Sequence, residues 1–366
     1  MSPRQTAGPI LVMAGGTGGH VYPALAVARA LKARSREVVW LGTHRGLESR
    51  VVPAAGIDIE WVNVRGLRRK GLLSLLAAPF QIIGALVQSL GVMRRRRPAA
   101  VLGMGGFVSG PGGLAAWLTR RPLLIHEQNA VAGLTNRLLA RLARVVLQAF
   151  PGSFNSRIPA ETVGNPVRED IAALAPPGDR YPGHSGPLRL LVLGGSQGAL
   201  TLNTTVPAAL ALLPEERRPV VRHQCGSLTL DRARAAYAAH SIDAELVPFI
   251  DDMAAAYDWA DLVVCRAGAL TVAELCAVGL PAVFVPYPAA VDDHQTANAR
   301  SMVEAGAAVI VDEHDLTDRL LADLLGALLT TREALAARAA RARELARPGA
   351  LPRIADLCLE LAGAVA

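Results

Sequence analysis

Thiol and metal chemistry have little to work with in this chain. Its 366 residues hold four cysteines, Cys225, Cys265, Cys276 and Cys358, and no two stand in C-x-x-C spacing. Three lie in apolar strand or helix patterns, so the set is expected as reduced, buried thiols of a cytosolic protein. No D-x-D triplet occurs, so a metal held by that motif is unavailable. Aromatic residues make up only 4% of the chain, which leaves core packing to alanine and leucine. No uninterrupted apolar run reaches the ~20 residues that span a bilayer. The opening MSPRQTAGP leaves no room for a secretory leader before the first strand, so export is not expected. The basic residues lack interleaved aromatics, and no RRM, KH or helix-turn-helix pattern is present, so nucleic acid is not an expected partner.

Half the residues are apolar (51%), and 366 residues are long for one core, so two domains are expected. The net charge of +7 suits anionic partners such as acidic lipid or phosphorylated substrates.

The chain is organised around Ile10 to Leu31. Ile10-Leu11-Val12-Met13 reads as a buried parallel strand. Gly15, Gly16, Gly18 and Gly19 follow, then His20, then a helical pattern in which Pro23 suits the first turn. Strand, glycine turn and helix start together make a cradle for an anion. The device recurs at Leu188 to Val192, followed by Gly194-Gly195-Ser196-Gln197-Gly198 and a helix from about Thr201. Two such units predict two similar α/β domains sharing a cleft at the carboxyl ends of their strands.

Neither loop fits the dinucleotide fingerprint G-x-G-x-x-G. Val21 stands where its third glycine belongs, and the strand Val38 to Leu41 ends in Gly42-Thr43 rather than a ribose-binding acid. A nicotinamide oxidoreductase is therefore disfavoured.

The segment from Arg65 to Arg97 is basic at both ends, with Arg65, Arg68, Arg69 and Lys70 before an apolar stretch and Arg94 to Arg97 after it. Pro79, Gln81 and Gln88 interrupt that stretch. Two readings stand: an apolar patch resting on an anionic membrane surface, or a core helix with solvated arginines at its ends.

A third glycine turn, GMGGFVSGPGG, runs from Gly103 to Gly113. The strand Leu123 to Ile125 ends in His126-Glu127-Gln128-Asn129, polar residues placed for ligand work. Val163 to Arg168 reads as the crossing into the second domain. Phe249 to Met253 reads as a loop entering a short helix. Leu262 to Cys265 is a strand feeding Arg266 to Glu274, where Thr271 and Glu274 have capping-box spacing. The competing reading is that this helix start holds a diphosphate while Glu274 accepts the hydroxyls of a ribose.

GGTGGHVYP, GMGGFVSGPGG, HEQN, VGNPVR, GGSQGA, FIDDMA and RAGALTVAE stand in the order found in the MurG family of bacterial cell-wall glycosyltransferases, and the resemblance covers nearly the whole chain. It implies a GT-B fold of two Rossmann-like α/β domains: residues 1–166, binding acceptor and membrane and completed by a terminal helix at 349–366, and residues 167–348, binding UDP-GlcNAc. It implies inverting transfer of GlcNAc from UDP-GlcNAc to the C4 hydroxyl of MurNAc on lipid I, giving lipid II at the cytoplasmic face of the cell membrane. That step serves peptidoglycan synthesis, cell shape and division, with other cell-wall proteins as candidate partners.

By similarity the donor site falls on Thr17, Gly18, Gly19, Asn129, Arg168, Ser196, Ile250, Ala269, Leu270, Thr271, Val272, Ala273, Glu274 and Gln295. Gly16, Gly105, Gly106 and Phe107 would receive the lipid diphosphate. His20 is the first candidate base, since imidazole titrates near neutrality, and Glu127 is its rival. A histidine that merely orients its loop is the structural alternative. No tightly bound cofactor or protein metal site is expected; a Mg²⁺ requirement would place the ion on the substrate diphosphate. Phe107 stands where some relatives carry tyrosine, so a phenolic hydroxyl there is not essential. Two other classes remain distinguishable: a GT-B epimerase acting on UDP-GlcNAc without acceptor, and a non-catalytic membrane scaffold that would tolerate loss of His20 and Glu274.

Overall fold

A computed structural model describes residues 8–64, 72–195, 198–288 and 293–363, with 72–78 described as backbone. The chain divides into two compact units, Met1–Val167 with Arg347–Ala366, and Arg168–Ala346.

The first unit runs β1 (Ile10–Met13), α1 (Gly18–Ala33), β2 (Val38–Gly42), α2 (Glu48–Ala54), β3 (Asp58–Trp61), α3 (Leu72–Arg96), β4 (Ala100–Gly103), α4 (Ser109–Leu118), β5 (Leu123–Glu127), α5 (Leu134–Leu139), β6 (Val145–Gln148) and β7 (Glu161–Thr162). Its seven strands are all parallel, in the order β3-β2-β1-β4-β5-β6-β7. The second unit runs α6 (Glu169–Ala172), α7 (Pro177–Gly183), β8 (Arg189–Leu193), α8 (Leu200–Ala211), β9 (Val220–Gln224), α9 (Leu230–Ala239), β10 (Glu245–Val247), α10 (Met253–Trp259), β11 (Leu262–Cys265), α11 (Ala269–Val278), β12 (Ala282–Phe284), α12 (His294–Glu304), β13 (Ala308–Ile310), α13 (Asp318–Leu328) and α14 (Arg332–Glu344). Its six strands are also parallel, in the order β10-β9-β8-β11-β12-β13. The last helix, α15 (Ala350–Gly363), belongs to the first unit.

In both sheets the strand order reverses beside the first strand, between β1 and β4 and between β8 and β11. A crevice opens at such a point because the following helices leave to opposite faces. The register pairs Met13 with Gly103 and Leu193 with Cys265, so the loops after these strands emerge side by side.

The apolar strands are buried on both faces, as parallel strands between helices must be. Ile10 and Val12 point to one core with α1, Leu11 and Met13 to another with α3 and α4. The alternation follows from the two-residue period of a strand. Leu351, Ile354, Leu357 and Leu361 of α15 complete the first of these cores beside α1. In the second unit Leu190, Val192 and Val264 pack with α8, α13 and α14. All four cysteines are buried, and none is in a disulfide.

One local expectation is corrected. α1 starts at Gly18, so Pro23 lies in the second turn rather than the first; lacking an N–H, it leaves the Gly19 carbonyl without its helical donor. α3 is one helix running through Pro79. Its Ala85, Ser89, Val92 and Met93 are buried while Phe80, Ile83 and Val87 are exposed, so one face of the helix is core and the opposite face carries uncovered apolar side chains. No helix among the described residues is long and apolar enough to cross a membrane. Arg65, Arg68, Arg69 and Lys70 lie outside the described residues.

Candidate functional site

In the first unit the turn after β1 is tied down by a carboxylate. Glu48, fully buried, accepts from Gly16 N at 3.0 Å and from Thr43 N and Oγ1 at 3.0 and 2.7 Å. The turn then opens into α1, whose N-cap residue Thr17 makes no side-chain capping bond. Gly16, Thr17 and Gly19 are exposed, with Gly18 partly so. Bare amides at a helix N-terminus attract negative charge.

The turn after β4 packs directly on it. Gly105 and Gly106 have φ of +92° and +83°, and a Cβ on Gly106 would overlap the Gly15 carbonyl. Only glycine meets both demands. A Cβ on Gly105 would stand 2.7 Å from Nδ1 of His20, so the imidazole lies against this loop. Ser109 Oγ pins the turn, donating to the Gly105 carbonyl at 2.7 Å. Phe107 is half exposed at its tip.

His20 is partly buried, and its Nδ1 lies 2.7 Å from Oε1 of Gln128. Gln128 belongs to the segment after β5, where the expectation of ligand-facing side chains needs correction. His126, Glu127 and Gln128 are all buried and bond within the protein. Glu127 Oε1 accepts from Asn129 N and Nδ2 at 2.9 and 3.2 Å, and Oε2 from Gly133 N and Asn136 Nδ2 at 3.1 and 2.9 Å. Four donors occupy a carboxylate's four lone-pair sites. As a base Glu127 would have to break that set, whereas His20 would break nothing. Asn129 is held by this carboxylate, and its carbonyl accepts from Ser153 Oγ at 2.8 Å.

In the second unit the turn after β8 is braced by Gln224, whose Oε1 accepts from Gly195 N at 3.2 Å. Ser196 lies outside the described residues. The turn after β11 reaches α11 through Gly268, an N-cap residue with no side chain to occupy the helix amides. This start, one residue before Ala269, overturns the capping-box expectation. Thr271 becomes the third helical residue and Glu274 the sixth, too far along to reach back to the cap.

Glu274 turns instead to Tyr257, whose hydroxyl donates to Oε2 at 2.9 Å. Tyr257 comes from α10, set by Asp252, which caps that helix by accepting from Ala255 N at 2.9 Å. Burial pushes the Glu274 carboxyl up to about 7, against the lowering effect of the Tyr257 bond and the Arg168 charge. Arg168 itself pairs with Asp170 at 3.2 Å. Ile250 lies partly buried two residues before Asp252. Gln295, in the first turn of α12, accepts from Tyr287 N through Oε1 at 2.9 Å and so orders the loop after β12. Arg266 clamps the same loop, donating to the Val285 and Pro286 carbonyls at 3.0 Å and pairing with Glu313.

The structure thus gathers Gly16, Gly18, Gly19, His20, Gly105 and Gly106 in the first unit, and Ala269 to Glu274 with Tyr257 and Arg168 in the second. Sequence reasoning did not single out Gln128, Tyr257 or Glu48. The first lay inside the quoted HEQN stretch; the others carry no local signature.

Comparison with known proteins completes the description. The Glycosyltransferase family 28 N-terminal domain matches residues 10–148, and the Glycosyltransferase family 28 C-terminal domain matches residues 189–353. A UDP-N-acetylglucosamine–N-acetylmuramyl-(pentapeptide) pyrophosphoryl-undecaprenol N-acetylglucosamine transferase from Alkalilimnicola ehrlichii is 62% identical over 352 residues, covering 96% of this chain and 98% of that protein. The chain belongs to the MurG family. The crystal structure of MurG from Acinetobacter baumannii is 42% identical, covers 96% of this chain and 99% of its own, and superposes with a TM-score of 0.84. As in MurG, the fold is GT-B, built of two Rossmann-like domains. A UDP-GlcNAc 2-epimerase from Neisseria meningitidis covers 96% of this chain and 99% of its own with a TM-score of 0.66, but at 14% identity it shares the fold alone.

Proposed function

We propose that this MurG-family chain transfers GlcNAc from UDP-GlcNAc to the C4 hydroxyl of MurNAc in lipid I, with inversion, to make lipid II for peptidoglycan. The observation that carries the reading is the start of α11. Gly268 leaves the helix amides to a diphosphate, and Glu274 stands five residues beyond the first helical residue, Ala269, about 7.5 Å along the axis at 1.5 Å per residue. That is the reach from a nucleotide's diphosphate to its ribose. Thr271 and Ser196 would meet phosphate, Ile250 would offer backbone groups to uracil, and Asn129 and Gln295 would take sugar hydroxyls.

His20 is the base of choice over Glu127, because the four donors on Glu127 compete with a proton. In the step, His20 removes the C4 hydroxyl proton as that oxygen bonds to the anomeric carbon. The bond from that carbon to the diphosphate breaks, and its electron pair leaves with UDP. Helix N-termini and backbone amides stabilise the departing charge. Gly16, Gly105, Gly106 and Phe107 would hold the acceptor's diphosphate. No tightly bound cofactor is invoked, and Mg²⁺ enters only as a companion of the substrate diphosphate.

Incubation with radiolabelled UDP-GlcNAc, with and without a short-chain lipid I analogue, tests the reading. Label reaching lipid only when acceptor is present supports it, and conversion to another sugar nucleotide without acceptor replaces it with epimerisation. His20→Ala is expected to lower kcat by roughly 10²–10⁴-fold, the usual worth of a general base, with donor KM little changed.

The exposed apolar residues support residence on the cytoplasmic face of an anionic membrane. Phe80, Ile83 and Val87 form one stripe of α3, which packs on α4 with exposed Trp117 and Leu118, and α4 packs on α5 with exposed Leu134 and Leu138. Arg120, Arg137 and Arg141 are exposed beside them in sequence. An apolar face rimmed by arginines binds acidic lipid surfaces. Flotation with vesicles containing phosphatidylglycerol should retain the wild type and lose Phe80→Ser with Ile83→Ser; equal retention would sink the idea.

A further inference from the structure

The hydrogen bonds behind His20 form a chain whose far end can only accept. The Gly164 carbonyl lies 2.8 Å from Nε2 of His126, so that nitrogen carries the proton. Gly164 is itself fixed against Arg347, where a Cβ would collide, and its neighbour Asn165 donates to the Gln128 carbonyl at 3.0 Å. His126 is fully buried, and burial pulls its ring down to about 4, so it is neutral near pH 7 and holds one proton. Its Nδ1 therefore presents a lone pair.

Gln128 Nε2 stands 3.0 Å from that Nδ1 and 3.0 Å from the His126 carbonyl. Both are acceptors, and each independently requires the amide nitrogen there rather than the amide oxygen. The Gln128 oxygen is thereby turned to His20, and an amide oxygen can only accept. His20 must donate from Nδ1, which leaves Nε2 of the neutral ring without a proton. In water a histidine side chain prefers the opposite placement, with the proton on Nε2.

We propose that Gln128 and His126 are positioning residues that hold His20 in its Nδ1–H tautomer, so that Nε2 meets the acceptor hydroxyl as a base. The proposal rests on the reading of His20 as the base. Proton order is set over two side chains from one backbone carbonyl, with no carboxylate in the line. The second half of the device is geometric. Contact with Gly105 and the 2.7 Å bond to Gln128 hold the ring plane, so its free nitrogen keeps one direction.

The test is a long-range ¹H–¹⁵N spectrum of the full-length protein labelled at histidine, with His20 assigned by its loss in His20→Gln. Wild-type His20 should appear as Nδ1–H and His126 as Nε2–H; His20 as Nε2–H, or as a mixture, overturns the relay. Gln128→Leu should move His20 toward Nε2–H and cut kcat by about tenfold, part of the 10²–10⁴ that a base supplies, with donor KM within about twofold. A fall in kcat with the tautomer unchanged would make Gln128 merely structural and overturn the proposal, as would a changed tautomer with kcat intact. The wild-type spectrum decides the tautomer even where Gln128→Leu does not fold. Failure of the base reading looks different: Nδ1–H in the wild type, with His20→Ala fully active.

Discussion

Glu127 and Glu274 are both carboxyl groups beside candidate substrate positions, and their surroundings are opposite. Glu127 accepts from four donors in the loop and helix that follow it, while Glu274 takes one bond from Tyr257 in a setting that favours its protonated form. A carboxylate whose lone pairs are spent inside the protein is an anchor. One left short of donors in a partly buried place is costly until something with hydroxyls arrives. Counting donors thus separates a carboxylate that holds its loop together from one with capacity left for a ligand.

The comparison breaks most visibly at Glu127. Glu127→Ala strands the amides of Asn129, Gly133 and Asn136, and unfolding in urea should show a loss of about 3–5 kcal/mol, as expected for removing one partner of a buried charged set. Unchanged stability together with a collapse of kcat would make Glu127 the base after all. Glu274→Gln should leave stability nearly intact and raise the donor KM by about tenfold or more, the worth of a hydrogen bond to a charged group. The same variant sharpens the pH argument. With the wild-type carboxyl at about 7, the ionised form, which the proposed function assigns to the ribose hydroxyls, fills in as pH rises, so donor KM should fall between pH 6 and 8. The glutamine variant should be flat over that range. Stability without donor has the reverse slope: the folded state keeps its proton above the ordinary 4.5, so stability declines as pH rises from there to about 7. Tyr257→Phe is the mildest change. It removes a bond that lowers the Glu274 pKa, so the midpoint of the KM profile should move up by about one pH unit or less.

How much of this is legible in the sequence follows from the range of each interaction. Ile10–Met13 and Leu262–Cys265 declare themselves as strands because both faces are buried, and the glycine turns because their backbone has few alternatives. Two glycine-turn units half a chain apart pointed to paired Rossmann-like domains. At the start of α11 two readings compete in the sequence because Thr271 and Glu274 fit a local spacing rule, while the cap that forms belongs to a residue with no side chain. Gln128 could be quoted but not understood. Its partner His20 is 108 positions away, and only folding reveals that an amide has been aimed at it. Tyr257 is hidden likewise, since its tie to Glu274 crosses from one helix to another.

One feature of the architecture bears on how the protein is made. The core beside α1 is closed by Ile354 and its neighbours on α15, which a ribosome produces only after the whole of the second unit. The second unit can therefore finish folding on the nascent chain while the first waits with an apolar flank open. A message broken late in its course would yield a sound second unit attached to an unfinished first one, a species suited to chaperones and proteases rather than to catalysis.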